Sequence, residues 1–211
     1  LDRLDVAFGG LSEGQLQAVG DTVLGVAADT VFGANDIVGA AETLGRAGVA
    51  VDDFTGGAIK SVADFASATG TSLPVSADIM SRTSAQWQSA GLTWDQTADV
   101  MTNALNATSL SADDWLGGMA NIAPLMQALD QDIYTTAATL GYFKDQGLSA
   151  REAGTSLTSA LQAILAPSET AAEAQEALGL RVGENSAFFD DLTGEFVGVP
   201  KALEMITEAT K

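Results

Sequence analysis

The chain has 211 residues, 46% of them apolar but only 6% aromatic, with 22 glycines, and is long enough to bury a core. Nine basic residues stand against 28 acidic ones, a net charge of -19, which repels phosphate backbones and argues against specific nucleic-acid binding. With neither cysteine nor histidine, disulfides, Cys/His zinc sites, Ser-His-Asp triads and Cys-His dyads are excluded within this chain.

In chain order, Leu1-Asp2-Arg3-Leu4-Asp5 lacks the basic-then-apolar order of a signal peptide. The absence of an initiator methionine suggests a piece of a longer chain. Ser12, with Gln15 three residues on, opens the first predicted helix as a capping box. Thr93 with Gln96, Ser111 with Asp114 and Ser149 with Glu152 repeat the signal, each preceded by a leucine (Leu11, Leu92, Leu110, Leu148) placed to act as a staple. Helix starts are predicted near residues 12, 35, 52, 73, 93, 111, 132, 149, 168 and 200. Gly48, Gly70, Gly91, Gly147 and Gly179 fall where a left-handed residue closes a helix. Pro74 suits a first helical turn, and Pro167 ends one helix before Ser168 starts the next.

Between these marks the apolar spacing is helical. Phe54, Ala58, Val62 and Phe65 or Ala66 share one face, as do Trp94, Ala98, Met101 and Leu105, and Leu157, Leu161 and Ile164. Starts from 35 to 149 recur roughly every twenty residues, which suggests two-helix units of about forty without detectable duplication. Leu180-Arg181-Val182 and the stretch Phe188 to Val197 predict a small β-hairpin, after which Pro200 opens a last helix. The fold class expected is therefore mainly α: a multi-helix bundle of short capped helices with a small β-hairpin near the C-terminus. Three parts are expected within one continuous domain: a helical approach at 1–92, a helical core at 93–179, and the hairpin with its helix at 180–211. One unbroken helix would run about 320 Å at ~1.5 Å per residue, which the glycines and prolines at the caps forbid.

The ordered features from Leu92 onward carry a resemblance. They are Thr93-Trp94-Asp95-Gln96-Thr97-Ala98-Asp99-Val100-Met101, leading to Asn106-Ala107-Thr108; Leu110-Ser111-Ala112-Asp113-Asp114; and Ile122-Ala123-Pro124-Leu125-Met126. The run from Ala137 through Gly141-Tyr142-Phe143 and Gly147 to Gly154-Thr155-Ser156-Leu157 follows, then Leu161 to Ser168 and Ala177-Leu178-Gly179-Leu180. Together they resemble the conserved core region of phage tail tape measure proteins of the lactococcal type, strongly over the last 120 residues and loosely before. Trp87, Trp94 and Trp115 depart from that pattern, as do Gly56-Gly57 and Gly117-Gly118 near helix starts.

The resemblance implies a structural component of the virion tail that helps set tail length, is enclosed by the tail tube or tip, and takes part in genome delivery. It implies tail tube and tail tip partners (distal tail and baseplate hub proteins), assembly chaperones in the host cytoplasm, and a homo-oligomer with tail symmetry. Contact with the host membrane on ejection is a further implication. Two other readings stand beside it: a stand-alone adaptor or chaperone-like helical module, and a membrane-active segment for DNA passage. No enzymatic activity is expected, with no catalytic, cofactor-binding or metal-ligating residue assigned and no cofactor.

Candidate chemistry has a structural explanation in each case. Asp113-Asp114 and Asp52-Asp53 suit helix N-termini. The run Asp190-Asp191-Leu192-Thr193-Gly194-Glu195 lacks the ligand spacing of a Ca²⁺ loop, and Asp130-Gln131-Asp132 reads as a linker and cap. Gly9-Gly10, Gly56-Gly57 and Gly117-Gly118 read as kinks or close helix contacts, because no phosphate-loop pattern surrounds them. The Gly/Ala-rich stretch from Val19 to Gly48 would let helices approach closely. Its acidic interruptions at Asp21, Asp29, Asp36 and Glu42 favour a soluble core over membrane insertion. The tryptophans read as core residues or staples.

Overall fold

A computed structural model describes residues 2–182, 185–190 and 192–210. The chain is mainly helical, and its contacts gather into two compact units, residues 1–107 and 108–211.

In the first unit, α1 (Asp2–Ala7) precedes α2 (Glu13–Asp29) and α3 (Ala34–Arg46). The short α4 (Val51–Asp53) runs through a π-helical turn at Phe54–Ala58 into α5 (Ile59–Thr69). Then come α6 (Leu73–Gln86) and α7 (Trp94–Ala107). Helix α3 packs on α6, α5 on α6 and α7, and α1 on α3. Phe54, Ala58, Val62 and Phe65 are buried along the face that their spacing predicts. Helix α7, which packs on α5 and α6, belongs to this unit.

In the second unit, α8 (Ala112–Ala128) packs against α10 (Ala150–Leu165), and α9 (Ile133–Asp145) touches both. Helix α11 (Glu169–Ala177) and the terminal α12 (Val199–Ala209) complete it. Leu157, Leu161 and Ile164 turn inward with Trp115, Ile122 and Met126. The closeness of α8 and α10 follows from glycine. A β-carbon on Gly154 would stand 3.0 Å from the Gly118 carbonyl oxygen, and Thr158 donates to the Asn121 carbonyl at 3.3 Å.

The predicted helix starts are borne out to within a residue or so. All four capping boxes form: Gln15, Gln96, Asp114 and Glu152 accept from the backbone N–H of Ser12, Thr93, Ser111 and Ser149 at 3.0 Å each. All five closing glycines have positive φ, between 66° and 91°.

Two expectations are corrected. Helix α1 was not predicted: six residues long, it has neither a capping pair nor a closing proline, and docks through the buried Leu4. Of the four leucines that precede the caps, Leu110 is buried, Leu11 and Leu92 are half-buried and Leu148 is exposed. The β-hairpin is not supported as an element. Pairing is limited to Arg181–Val182 against Asn185–Ser186, two residues a side, and Phe188 to Val197 makes an isolated bridge between Phe189 and Phe196 rather than a strand. The Asp190 carboxylate takes the N–H groups of Leu192 and Thr193 at 2.8 and 2.9 Å, closing a tight turn, and outside it the Asp190 N–H to Glu195 and the Val197 N–H to Phe188 join only that one bridge. Of the residues in that expectation, Gly183, Glu184 and Asp191 lie outside the described ones.

Candidate functional site

The acidic pairs serve structure first. Asp114 forms the N-terminal box of α8 with Ser111 and accepts from Lys144 of α9 at 3.0 Å. Burial works to raise the pKa of this carboxyl, but the hydrogen bonds from Ser111 and the ammonium of Lys144 outweigh it, and the pKa lies below the ordinary value. Asp132 caps α9 through the Thr135 N–H at 2.7 Å. Asp190 is turned into its own loop, where the Thr193 and Leu192 N–H groups lower its pKa. Among the described residues no three acidic side chains converge as metal ligands.

The glycine pairs divide in the same way. Gly57, at φ 128°, breaks the helix between α4 and α5, whereas Gly118 lies against the Leu140 side chain inside the second unit. Of the tryptophans, Trp115 and Trp87 are buried, while Trp94 is only half-buried and reaches an open surface that sequence periodicity did not reveal.

That surface is a groove of about 800 Å³ in the first unit. One wall is the loop Ala47–Ala50 with Asp52, Asp53 and the Gly56-Gly57 turn; the other is the end of α6 with Thr93, Trp94 and Asp95. Ser61 of α5 donates to Asp95 at the start of α7, tying the floor to one rim. Three aspartates and no cation line the groove.

Beside it lies a second recess of about 430 Å³, lined by Arg46, Asp78 and Arg82 and sharing Ala47, Ser81 and Ala85 with the first. Arg82 gives its Nε to Asp78 at 2.9 Å, and Arg46 reaches Glu42 at 3.5 Å. Both arginine side chains are more than half exposed.

Elsewhere, Val6, Leu24 and Val31 of the first unit are exposed, as are Tyr134 and Tyr142 on α9 of the second. The Val19–Gly48 stretch is divided between α2 and α3. Among the described residues no helix is long and apolar enough to cross a membrane.

A family model described as phage-related minor tail protein matches residues 20–211, nearly the whole chain. The chain belongs to the phage-related minor tail protein family. A relative from Pneumococcus phage Dp-1, described as a tape measure protein, is 25% identical over 207 residues, 97% of this chain. This minor tail protein chain spans 17% of that relative's length. No solved structure matches it. Membership in the family makes the chain a tail protein.

Proposed function

We propose that the chain is a folded, contact-making section of a tape measure protein, enclosed by the tail tube or tip, which helps set tail length and takes part in genome delivery. The observation that carries this reading is the similarity of 97% of the chain to the Dp-1 tape measure protein, in which it spans only a section. The fold adds a physical argument. The longest described helices, α2 and α8, have 17 residues, about 26 Å at ~1.5 Å per residue. A section built this way contributes little contour length, so the stretch that measures the tail lies elsewhere in the parent protein.

Its role is contact rather than catalysis. The partners we propose are tail tube and tail tip proteins (distal tail and baseplate hub), further copies of the chain following tail symmetry, and assembly chaperones in the host cytoplasm. Contact with the host membrane on ejection also belongs to this reading. Protease treatment of intact and of triggered virions, followed by peptide mapping, tests enclosure and release together. Peptides from residues 1–211 should be protected in intact tails and cut after ejection. Equal cleavage in both states, or absence of these peptides from virions, would contradict it.

A further inference from the structure

We propose that the two adjoining grooves of the first unit form a polarised docking site for a segment of a partner protein that carries cationic side chains at one end and a carboxylate at the other. The inference rests on the contact-making role proposed above and gives that contact a chemistry. The larger groove is lined by Asp52, Asp53 and Asp95 with no basic residue, a local balance of three negative charges. The recess beside it is lined by Arg46 and Arg82 with only Asp78, a local balance of one positive charge. Ala47, Ser81 and Ala85 line both, so the two recesses adjoin and present opposite signs side by side.

The side chains shared by the two recesses are small, and the turn at Gly56 and Gly57 leaves open space where a β-carbon would be, so a peptide backbone can lie close. Neither arginine is fully engaged. Arg82 uses Nε alone for Asp78, and Arg46 contacts Glu42 only at 3.5 Å while Arg3 grips the same carboxylate at 2.7 Å. Their remaining guanidinium donors can receive a carboxylate in a forked pair. A segment with separated charges of both signs meets complementary groups at each end, and complementarity of this kind fixes orientation and register.

Trp94 on the groove wall supplies the readout. The 211-residue chain is titrated at low ionic strength with a synthetic peptide carrying lysines at one end, glutamates at the other and alanines and serines between. It is prepared in both chain directions, with a control of identical composition whose charges alternate. One block-charged peptide is expected to change Trp94 emission saturably and to bind about tenfold or more tightly than the control, with affinity falling as salt is added. Replacing Trp94 by Phe should abolish the signal. Asp52→Lys with Asp53→Lys, and separately Arg46→Glu with Arg82→Glu, should each weaken binding about tenfold, with helical circular dichroism unchanged. Should either reversed pair lose its helical signal, Asp52→Asn with Asp53→Asn replaces it. Equal binding of block and alternating peptides, no saturable binding, or folded variants that bind like the parent would overturn the proposal. Failure here leaves the protease-protection result in virions untouched.

Discussion

Gly154 of α10 faces the backbone carbonyl of Gly118 in α8 so closely that a β-carbon at 154 would stand 3.0 Å from the carbonyl oxygen and 3.2 Å from the Asn121 β-carbon. A helix-interior Gly→Ala change normally stabilises by roughly 1 kcal/mol. At 154 the obstacle is backbone, which cannot rotate away, so overpacking of about 1–3 kcal/mol wins. Gly154→Ala is therefore expected to destabilise by about 1–2 kcal/mol. Gly25→Ala in α2, where a β-carbon meets nothing within 4 Å, should stabilise slightly. Urea denaturation of both variants checks the contrast, and a stabilised Gly154→Ala would refute the close approach.

Glu42 is the buried carboxylate of the first unit, 7% exposed at its side chain, and Arg3 of α1 forks onto it at 2.7 and 2.8 Å. Arg3→Ala leaves that charge with Arg46 at 3.5 Å and removes an anchor of α1. Because the Arg3 side chain is 77% exposed, solvent screening reduces the loss to about 1–2 kcal/mol, below that of a fully buried pair. Glu42→Gln should cost less, since no buried charge is stranded. Thermal melts of the two variants test the order, and the reverse order would contradict it.

Asp114 gives the second unit a defined acid response. Its folded pKa is depressed, so its contribution is fully present above the unfolded value of about 4 and is lost as pH falls through the folded value. Asp114→Asn keeps an acceptor for the Ser111 N–H but gives up the charge that holds Lys144. The variant should lose less stability than the parent as pH falls below about 4. Identical acid limbs for the two proteins would show that the pair with Lys144 contributes nothing.

Gly57 sits at φ 128° inside the π-helical turn that forms one wall of the groove. Ala at this position is strained whatever the space around it, at a cost of about 1–3 kcal/mol. Gly56→Ala next to it meets open space without that backbone conformation and should be close to neutral. Denaturation midpoints of the pair settle the comparison; equal midpoints would mean that the turn relaxes.

Helix boundaries were legible in the sequence because they are written locally, in pairs such as Ser149 with Glu152 and in closing glycines such as Gly147. Side-chain and backbone partners three residues apart do not depend on the rest of the fold. Helix α1 was not legible, since it is held by distant groups: Leu4 in the core and Arg3 on Glu42, 39 residues away. The tail from Arg181 to Val197 misled because apolar and aromatic residues favour strands, while its backbone pairing stops at two residues a side and one bridge. The groove was invisible for the same reason as α1. Asp52, Arg82 and Asp95 come together only when α4, α6 and α7 pack, and each alone reads as a solvated charge.

The central claim is that this section of the tail protein works as short helices folded back on one another rather than as a rod. Density for residues 1–211 in an electron cryo-microscopy map of intact tails tests it most directly. The account predicts helices no longer than the 17 residues of α2 and α8, with α8 against α10 and α3 against α6. A single unbroken helix extending about 320 Å at ~1.5 Å per residue would contradict it.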